Sequence, residues 1–159
     1  FALFIICSSF CNVLGSDTIL TQVFRDDVPR ILKLDDSNKI ILDKDEAYTI
    51  ESMLRSPDLN FVDFDQEQTL EFPFVVWSKI QLVNEGTKGL KEHFGFFTFV
   101  DSIWMYTIEN GEVINTQMTG CAFKPSDKIL PIYYNSLPFS LDAGKSRTYY
   151  FKMKYLLNT

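Results

Sequence analysis

Few side chains in this sequence could act as a nucleophile, a general base or a metal ligand. His93 is the only histidine among the 159 residues, and no G-x-S-x-G motif supplies a nucleophile for it to activate. A Ser-His-Asp triad is therefore not expected, and His93 reads as a surface or rim residue. One histidine and one cysteine outside the apolar N-terminal stretch also cannot form a structural zinc site. The sequence predicts a protein that is not an enzyme and has no metal or other cofactor.

Carboxylates are the remaining side chains with possible chemistry, and they fall into two groups. The first group could flank a glycosidic bond, although its spacing shows nothing about separation across a cleft. Its members are Asp63, Asp65, Glu67 and Glu71. The second group could bind Ca²⁺ through loop carboxylates, but it lacks the glycine-centred loop of an EF-hand. Its members are Asp26, Asp27, Asp35 and Asp36. Solvated loops and wet strand faces explain both groups more simply.

Aromatic side chains are better candidates for a binding site, because sugar rings stack on Trp and Tyr. Ile103 and Met105 are expected to face the core, which places Trp104 on the opposite face of its strand. Tyr133 and Tyr134 are expected to add to such a face. We therefore predict ligand contacts at Trp104, Tyr133 and Tyr134. The alternative is that core packing, a neighbouring domain or a partner covers Trp104.

Charge and composition restrict the class of protein. The net charge is −6 and the pI is about 4.7, and no stripe of Lys and Arg is present, so we expect no nucleic-acid partner. The chain contains 15 Phe, 7 Tyr and 2 Trp, while Gly and Pro occur singly. This composition is typical of a well-packed β domain.

The candidate residues must be positioned by β-strands. Period-two alternation is strongest in residues 69–84 and predicts a strand with one wet face. Asn110-Gly111 predicts a type I′ hairpin turn, and Asp101 with Ser102 predicts a bend between two strands. Prolines in residues 128–134 and 137–141 predict edge strands or bulges.

Helical signal is confined to one place. Thr49 is expected to cap a short helix near residues 49–56, ended by Pro57. Roughly seven or eight strands with frequent turns then predict an all-β, jelly-roll-like sandwich. Residues 16–68 are assigned to an N-terminal arm and the first strands, and residues 69–159 to the remainder of the sandwich.

Residues 1–15 resemble an export leader, because they are uncharged, apolar and too short to span a bilayer. Cys7 and Cys11 are not expected to be lipidated, since the large residues Ile6 and Phe10 precede them. The alternative is a buried strand or helix of the fold. A leader would leave Cys121 as the single cysteine, which we expect to be a small buried residue after a turn. The absence of an initial Met and a basic segment predicts a piece of a longer exported protein.

The order of motifs in the second half of the chain resembles a known family. These motifs read FVVWSKIQLVN, FTFVDSIWMYTIENGEV, TGCAFKPSDK and SLPFSLDAGKSRTYYFKMK. They are similar to the extracellular sensory domain, type 2, of seven-transmembrane receptors with diverse intracellular signalling modules. The matching positions are Trp77, Val100, Asp101, Ile103, Tyr106, Gly120, Pro138, Leu141, Gly144, Ser146 and Tyr149. The sequence departs from the family pattern at Cys121 and Lys128.

The resemblance implies a jelly-roll related to carbohydrate-binding modules, with Trp77 mostly buried. It also implies a periplasmic ligand-sensing domain of a bacterial membrane receptor, followed by seven membrane helices. The expected partner is a carbohydrate or other small molecule, and a homodimer is possible. Two other functions stay open: an interaction or dimerisation module of an exported protein, and a carbohydrate-binding domain associated with a glycoside hydrolase.

Overall fold

The structure, a computed structural model, describes residues 3–9, 20–26, 30–34, 39–56, 59–63, 71–96, 100–127 and 135–156. The first elements are β1 (Leu3–Ser9), β2 (Leu20–Phe24), β3 (Arg30–Leu34) and β4 (Lys39–Asp43). Helix α1 (Ile50–Arg55) precedes β5 (Val62–Asp63), β6 (Phe74–Asn84), β7 (Leu90–Phe96) and β8 (Ser102–Glu109). The last strands are β9 (Glu112–Thr119), β10 (Asn135–Leu141) and β11 (Ser146–Tyr155).

The larger sheet has β11 near its centre. The strand order is β5-β4-β6-β11-β8-β9, and β2 pairs in parallel with the end of β6 that β4 leaves unpaired. β11 pairs antiparallel with β6 from Ser146 to Tyr155 and with β8 from Thr148 to Lys154. Alternate β11 side chains therefore point to opposite faces of a sheet that continues on both sides. The face that packs on the second layer is called the inner face below.

The second layer is built from shorter pairs. β7 and β10 pair antiparallel, β1 pairs with β3, and β1 also lies beside β7. Aromatic rings fill the space between the layers, with the Phe94 ring centroid 4.6 Å from Phe139, 5.2 Å from Tyr149 and 4.9 Å from Phe151. Tilted and edge-to-face contacts of this kind stabilise aromatic cores beyond simple burial. The predicted all-β sandwich is confirmed.

Helix α1 covers part of the outer face of the larger sheet. Its N-cap is a capping box, in which Ser52 N donates to Thr49 Oγ1 at 3.3 Å and Thr49 N donates to Ser52 Oγ at 2.9 Å. Ile50 and Met53 of the helix pack with Trp77, which is fully buried. The predicted cap, the short helix and the burial of Trp77 are therefore confirmed. The expected wet face of β6 starts only at Lys79, because the helix covers the earlier residues.

Several local expectations have clear outcomes. The Asn110-Gly111 hairpin is confirmed, with φ of 52° and 81° at the two residues and β8 paired to β9. The bend at Asp101 separates β7 from β8.

The expectation for Cys121 is wrong, because its side chain is exposed. The turn at the buried Gly120 directs the next side chain outward. The sequence pattern also does not predict β3, whose five residues follow a proline-containing acidic stretch of the sequence.

Some predictions concern segments that the structure does not describe or test. Tyr133, Tyr134 and the rest of residues 128–134 lie outside the described residues, as do Asp65 and Glu67. Strand β1 falls within residues 1–15, but secondary structure does not test cleavage, so the export leader stays a prediction. Among the described residues, no helix is long and apolar enough to cross a membrane.

Gly120 provides a test of the fold. Its φ is +141°, and an added Cβ would lie 2.7 Å from the Cα of Ser102, inside the backbone of the adjacent strand end. We expect Gly120→Ala to lower the free energy of unfolding by about 2 kcal/mol or more, because backbone must move. Gly111→Ala is the matched control: its φ is +81° with no atom within 4 Å, so only the left-handed backbone conformation is penalised, by about 1 kcal/mol. Urea unfolding of both variants measures the difference, and equal losses would contradict the steric argument.

Candidate functional site

A groove of about 490 Å³ lies where the free edge of β10 approaches the inner face of β8, β9 and β11. Its volume is within the range of small-molecule sites in proteins. Residues 91–93 of β7 and 138–140 of β10 line one side. The other side is lined by Thr107, Ile114, Asn115, Gln117, Arg147 and Tyr149. The groove is therefore shared by both layers of the sandwich.

Two side chains of the larger sheet bridge the groove to the backbone of β10. Gln117 Nε2 donates to the carbonyl oxygen of Pro138 at 3.0 Å, and Arg147 Nη1 donates to that of Ser140 at 3.1 Å. In the described residues β10 pairs only with β7, so these carbonyls lie on the other edge of the strand. The two bonds hold that edge against β9 and β11.

These two side chains and the neighbouring Tyr149 also carry buried polar atoms. Among the described residues, Gln117 Oε1, Arg147 Nε and the Tyr149 hydroxyl are buried and have no hydrogen-bond partner. Such a group typically costs about 1–3 kcal/mol, and native proteins contain few of them. All three side chains line one groove, so a polar molecule that opens the groove far enough to reach these buried atoms would complete their hydrogen bonding.

Tyr149 forms the link between the core and the groove. Its ring packs edge-to-face on Phe94 and lies 5.9 Å from Phe139, and its side chain is only 1% exposed. Burial raises the pKa of Tyr149 to about 12, and the nearby Arg147 guanidinium offsets a smaller part of that shift. The Tyr149 hydroxyl and the Arg147 guanidinium interact, but they do not have the geometry of a good hydrogen bond. The phenol is therefore neutral at physiological pH and can donate or accept one bond.

Charged groups give the groove a cationic side. Among the described lining residues, Lys91 and Arg147 are cationic and Glu92 is the one carboxylate. Arg147 Nη2 lies 3.7 Å from Glu109 Oε1, and Glu109 is half-exposed, so this ion pair is loose and screened by solvent. His93 is exposed at the rim, as the sequence analysis expects. The lining groups therefore sum to one net positive charge with neutral histidine, on a chain with net charge −6.

Trp104 lies away from the groove, on the outer face of the larger sheet. Ile103 and Met105 are fully buried towards the core, and Trp104 is half-buried on the other side, as its alternation predicts. Lys152 Nζ lies 5.7 Å from the Trp104 ring centroid and 5.6 Å from that of Trp77. The lysine thus bridges both tryptophans by cation–π contacts. This gives Trp104 a packing role, and its predicted ligand contact stays a prediction.

No pattern in the sequence marks Gln117 or Arg147 as a site residue, and Tyr149 stands out only as a matching position of the family pattern. One signal could have found two of them, because Arg147 and Tyr149 are two apart on a strand and must share a face. Gln117 could not be found in this way. Its place in the same groove as Arg147 depends on how β8 lies between β9 and β11 and on where β10 approaches them.

Tyr149→Phe tests whether the buried hydroxyl is unpartnered. We expect the free energy of unfolding at pH 8 to stay unchanged or to rise by about 1 kcal/mol, because the variant removes a polar atom that folding desolvates. The pKa is raised in the folded protein, so wild-type stability from this group is complete below pH 10 and is lost as pH rises towards 12. The loss amounts to about 3 kcal/mol. Urea unfolding from pH 8 to 11.5 should show a shallower alkaline loss in Tyr149→Phe, and identical profiles would contradict this assignment.

Comparison with known proteins agrees with the fold and the predicted resemblance. The family model described as 7TMR-DISM extracellular 2 matches residues 36–156, which include α1, β4 to β11 and every lining residue of the groove. No curated protein matches the chain. Domains of this family are extracellular sensory parts of membrane receptors. Since the match covers most of the chain, this protein belongs to the 7TMR-DISM extracellular 2 family.

Proposed function

We propose that this chain is the periplasmic ligand-sensing input domain of a bacterial membrane signalling receptor and that it binds a carbohydrate or another small molecule in the groove. The observation that carries the proposal is the set of three unpartnered polar atoms on Gln117, Arg147 and Tyr149. Two of these side chains also bridge the layers. A ligand that pairs with these three atoms adds hydrogen bonds that the described residues do not supply.

Signalling by such a site requires a change in population rather than turnover. Gln117 and Arg147 belong to the larger sheet, and their backbone acceptors belong to β10 of the smaller layer. A ligand held by both layers stabilises the arrangement in which they lie closest. Because a ligand shifts an equilibrium only by its differential affinity, binding here favours the closed sandwich over any looser state. The family membership supports a membrane-coupled role, with the membrane region supplied by another part of the receptor.

Thermal-shift screening of the 159-residue chain against mono- and disaccharides, sugar acids and amino acids tests this proposal. We expect at least one compound to raise Tm, and Tyr149→Phe to reduce its affinity about tenfold by removing one buried hydrogen bond. Tyr150→Phe is the matched control, because this neighbouring tyrosine faces the outer side of the sheet.

Trp104→Ala distinguishes the two possible ligand surfaces. Loss of binding in Trp104→Ala with full binding in Tyr149→Phe would place the ligand on the outer face at Trp104 instead, the residue that the sequence predicts to contact it together with Tyr133 and Tyr134. A screen in which no compound raises Tm would contradict the ligand-sensing proposal.

An interaction or dimerisation role is a second candidate, favoured by the exposed edge strand β9. In the described residues β9 pairs only with β8, and Val113, Ile114 and Met118 are 37%, 49% and 45% exposed. An unpaired edge with apolar side chains is a template for pairing with a second chain. Met118 also lies beside Trp104 in the sheet register.

Sedimentation analysis tests this second candidate. If β9 pairs with its copy in a homodimer, Met118→Lys is expected to weaken the dimer by about tenfold or more, because a charge replaces a buried apolar contact. Leu156→Lys is the control, since Leu156 is also exposed but lies outside β9. A wild-type chain that stays monomeric at all concentrations would remove the edge-pairing proposal.

A further inference from the structure

We infer that the groove selects an acidic sugar, a hexuronic acid, over the neutral sugar of the same stereochemistry. This inference rests on the proposed ligand-binding function and assigns it a ligand class. It follows from three features of the groove: the Arg147 guanidinium, the acceptor oxygen of Gln117, and the apolar side chains that also line it.

The Arg147 guanidinium is positioned to take a carboxylate. Its Nη1 is used by the carbonyl of Ser140, and its Nη2 has only the loose contact with Glu109. Its Nε is buried and has no partner among the described residues, while the side chain lines the groove. Hydrogen bonds between a guanidinium and a carboxylate are about twice as strong as neutral ones, particularly where water is excluded. Lys91, which also lines the groove, adds positive charge.

A carboxylate alone does not complete the site. Gln117 Oε1 is an acceptor without a partner, so it needs a donor from the ligand, and a carboxylate has none. The Tyr149 hydroxyl can act as a hydrogen-bond donor or as an acceptor. A ring that carries both a carboxylate and hydroxyl groups satisfies all three atoms. A simple dicarboxylate would leave Gln117 Oε1 unpaired, at a cost of about 1–3 kcal/mol.

The remaining lining suits the carbon skeleton of a sugar. Ile114, Pro138 and Phe139 provide apolar surface next to the polar atoms. Sugar rings present C–H faces to such surfaces while their hydroxyls reach polar groups at the edge. Glu92 offsets one of the two cations, which leaves enough positive charge for one carboxylate but not for a highly charged ligand.

Isothermal titration calorimetry of the 159-residue chain with two matched pairs tests the inference. The pairs are D-glucuronate with D-glucose and D-galacturonate with D-galactose, which differ only in the oxidation state of C6. We expect one uronate to bind about tenfold or more tightly than its neutral partner, since a charge-assisted hydrogen bond is involved. Its affinity should fall as salt is raised from 50 to 500 mM, by about threefold or more.

Two variants locate the selectivity. Arg147→Gln is expected to reduce the uronate preference to about twofold or less, because it removes the charged donor. Lys44→Gln removes the same charge at an exposed turn away from the groove and should keep the preference. Gln117→Glu supplies an independent test if Arg147→Gln does not fold, since an added carboxylate should weaken the uronate more than the neutral sugar.

The outcomes separate this inference from the function it rests on. Neutral sugars that bind as tightly as the uronates, or other ligands found by the thermal-shift screen, would overturn the acidic-sugar inference and leave the sensing proposal intact. A preference that survives in both Arg147→Gln and Gln117→Glu would also overturn it, because the charge discrimination would then come from elsewhere. A negative screen together with no heat of binding from any of the four sugars would remove both proposals.

Discussion

Hydrogen bonding of β11 to strands on both sides is the constraint on which the rest of the structure depends. Both edges of such a strand are hydrogen-bonded to neighbouring strands. Its stability therefore depends on what the side chains of its two faces pack against. On the inner face Tyr149, Phe151 and Met153 are buried against the second layer. On the outer face Tyr150 packs in the cluster that α1 covers, and Lys152 lies between two tryptophan rings. Both layers of packing are thus organised by one ten-residue strand.

The groove begins where that strand leaves the aromatic core. From Phe151 to Arg147 the inner-face residues change from apolar, through a tyrosine with a buried hydroxyl, to a guanidinium that reaches β10. Among the described strands β10 pairs only with β7, and Gln117 and Arg147 of the larger sheet reach across to the carbonyls on its other edge. Polar atoms are therefore placed at a boundary where apolar packing supplies contact area but few hydrogen-bond partners.

The outer face shows that an aromatic residue on the second face of a strand need not be a binding residue. The Lys152 ammonium nitrogen lies over the rings of both Trp77 and Trp104, and it is paired with Glu46 at 3.9 Å. Lys154 pairs with the same carboxylate. The half-exposed Trp104 is thus explained by cation–π and packing contacts within the domain. For the three buried polar atoms of the groove, the described residues supply no hydrogen-bond partner of good geometry.

The sequence by itself determined the elements governed by local physics. Period-two alternation placed the long strands, Asn110-Gly111 placed the hairpin, and Thr49 placed the helix cap, because each depends on residues a few positions apart. The motif order also identified the family. Only the tertiary structure decided that α1 would cover the outer face at Trp77 and that Gln117, Arg147 and Tyr149 would line one groove. Those contacts join residues far apart in the chain, and strand order and the approach of two layers, which no local pattern encodes, bring them together.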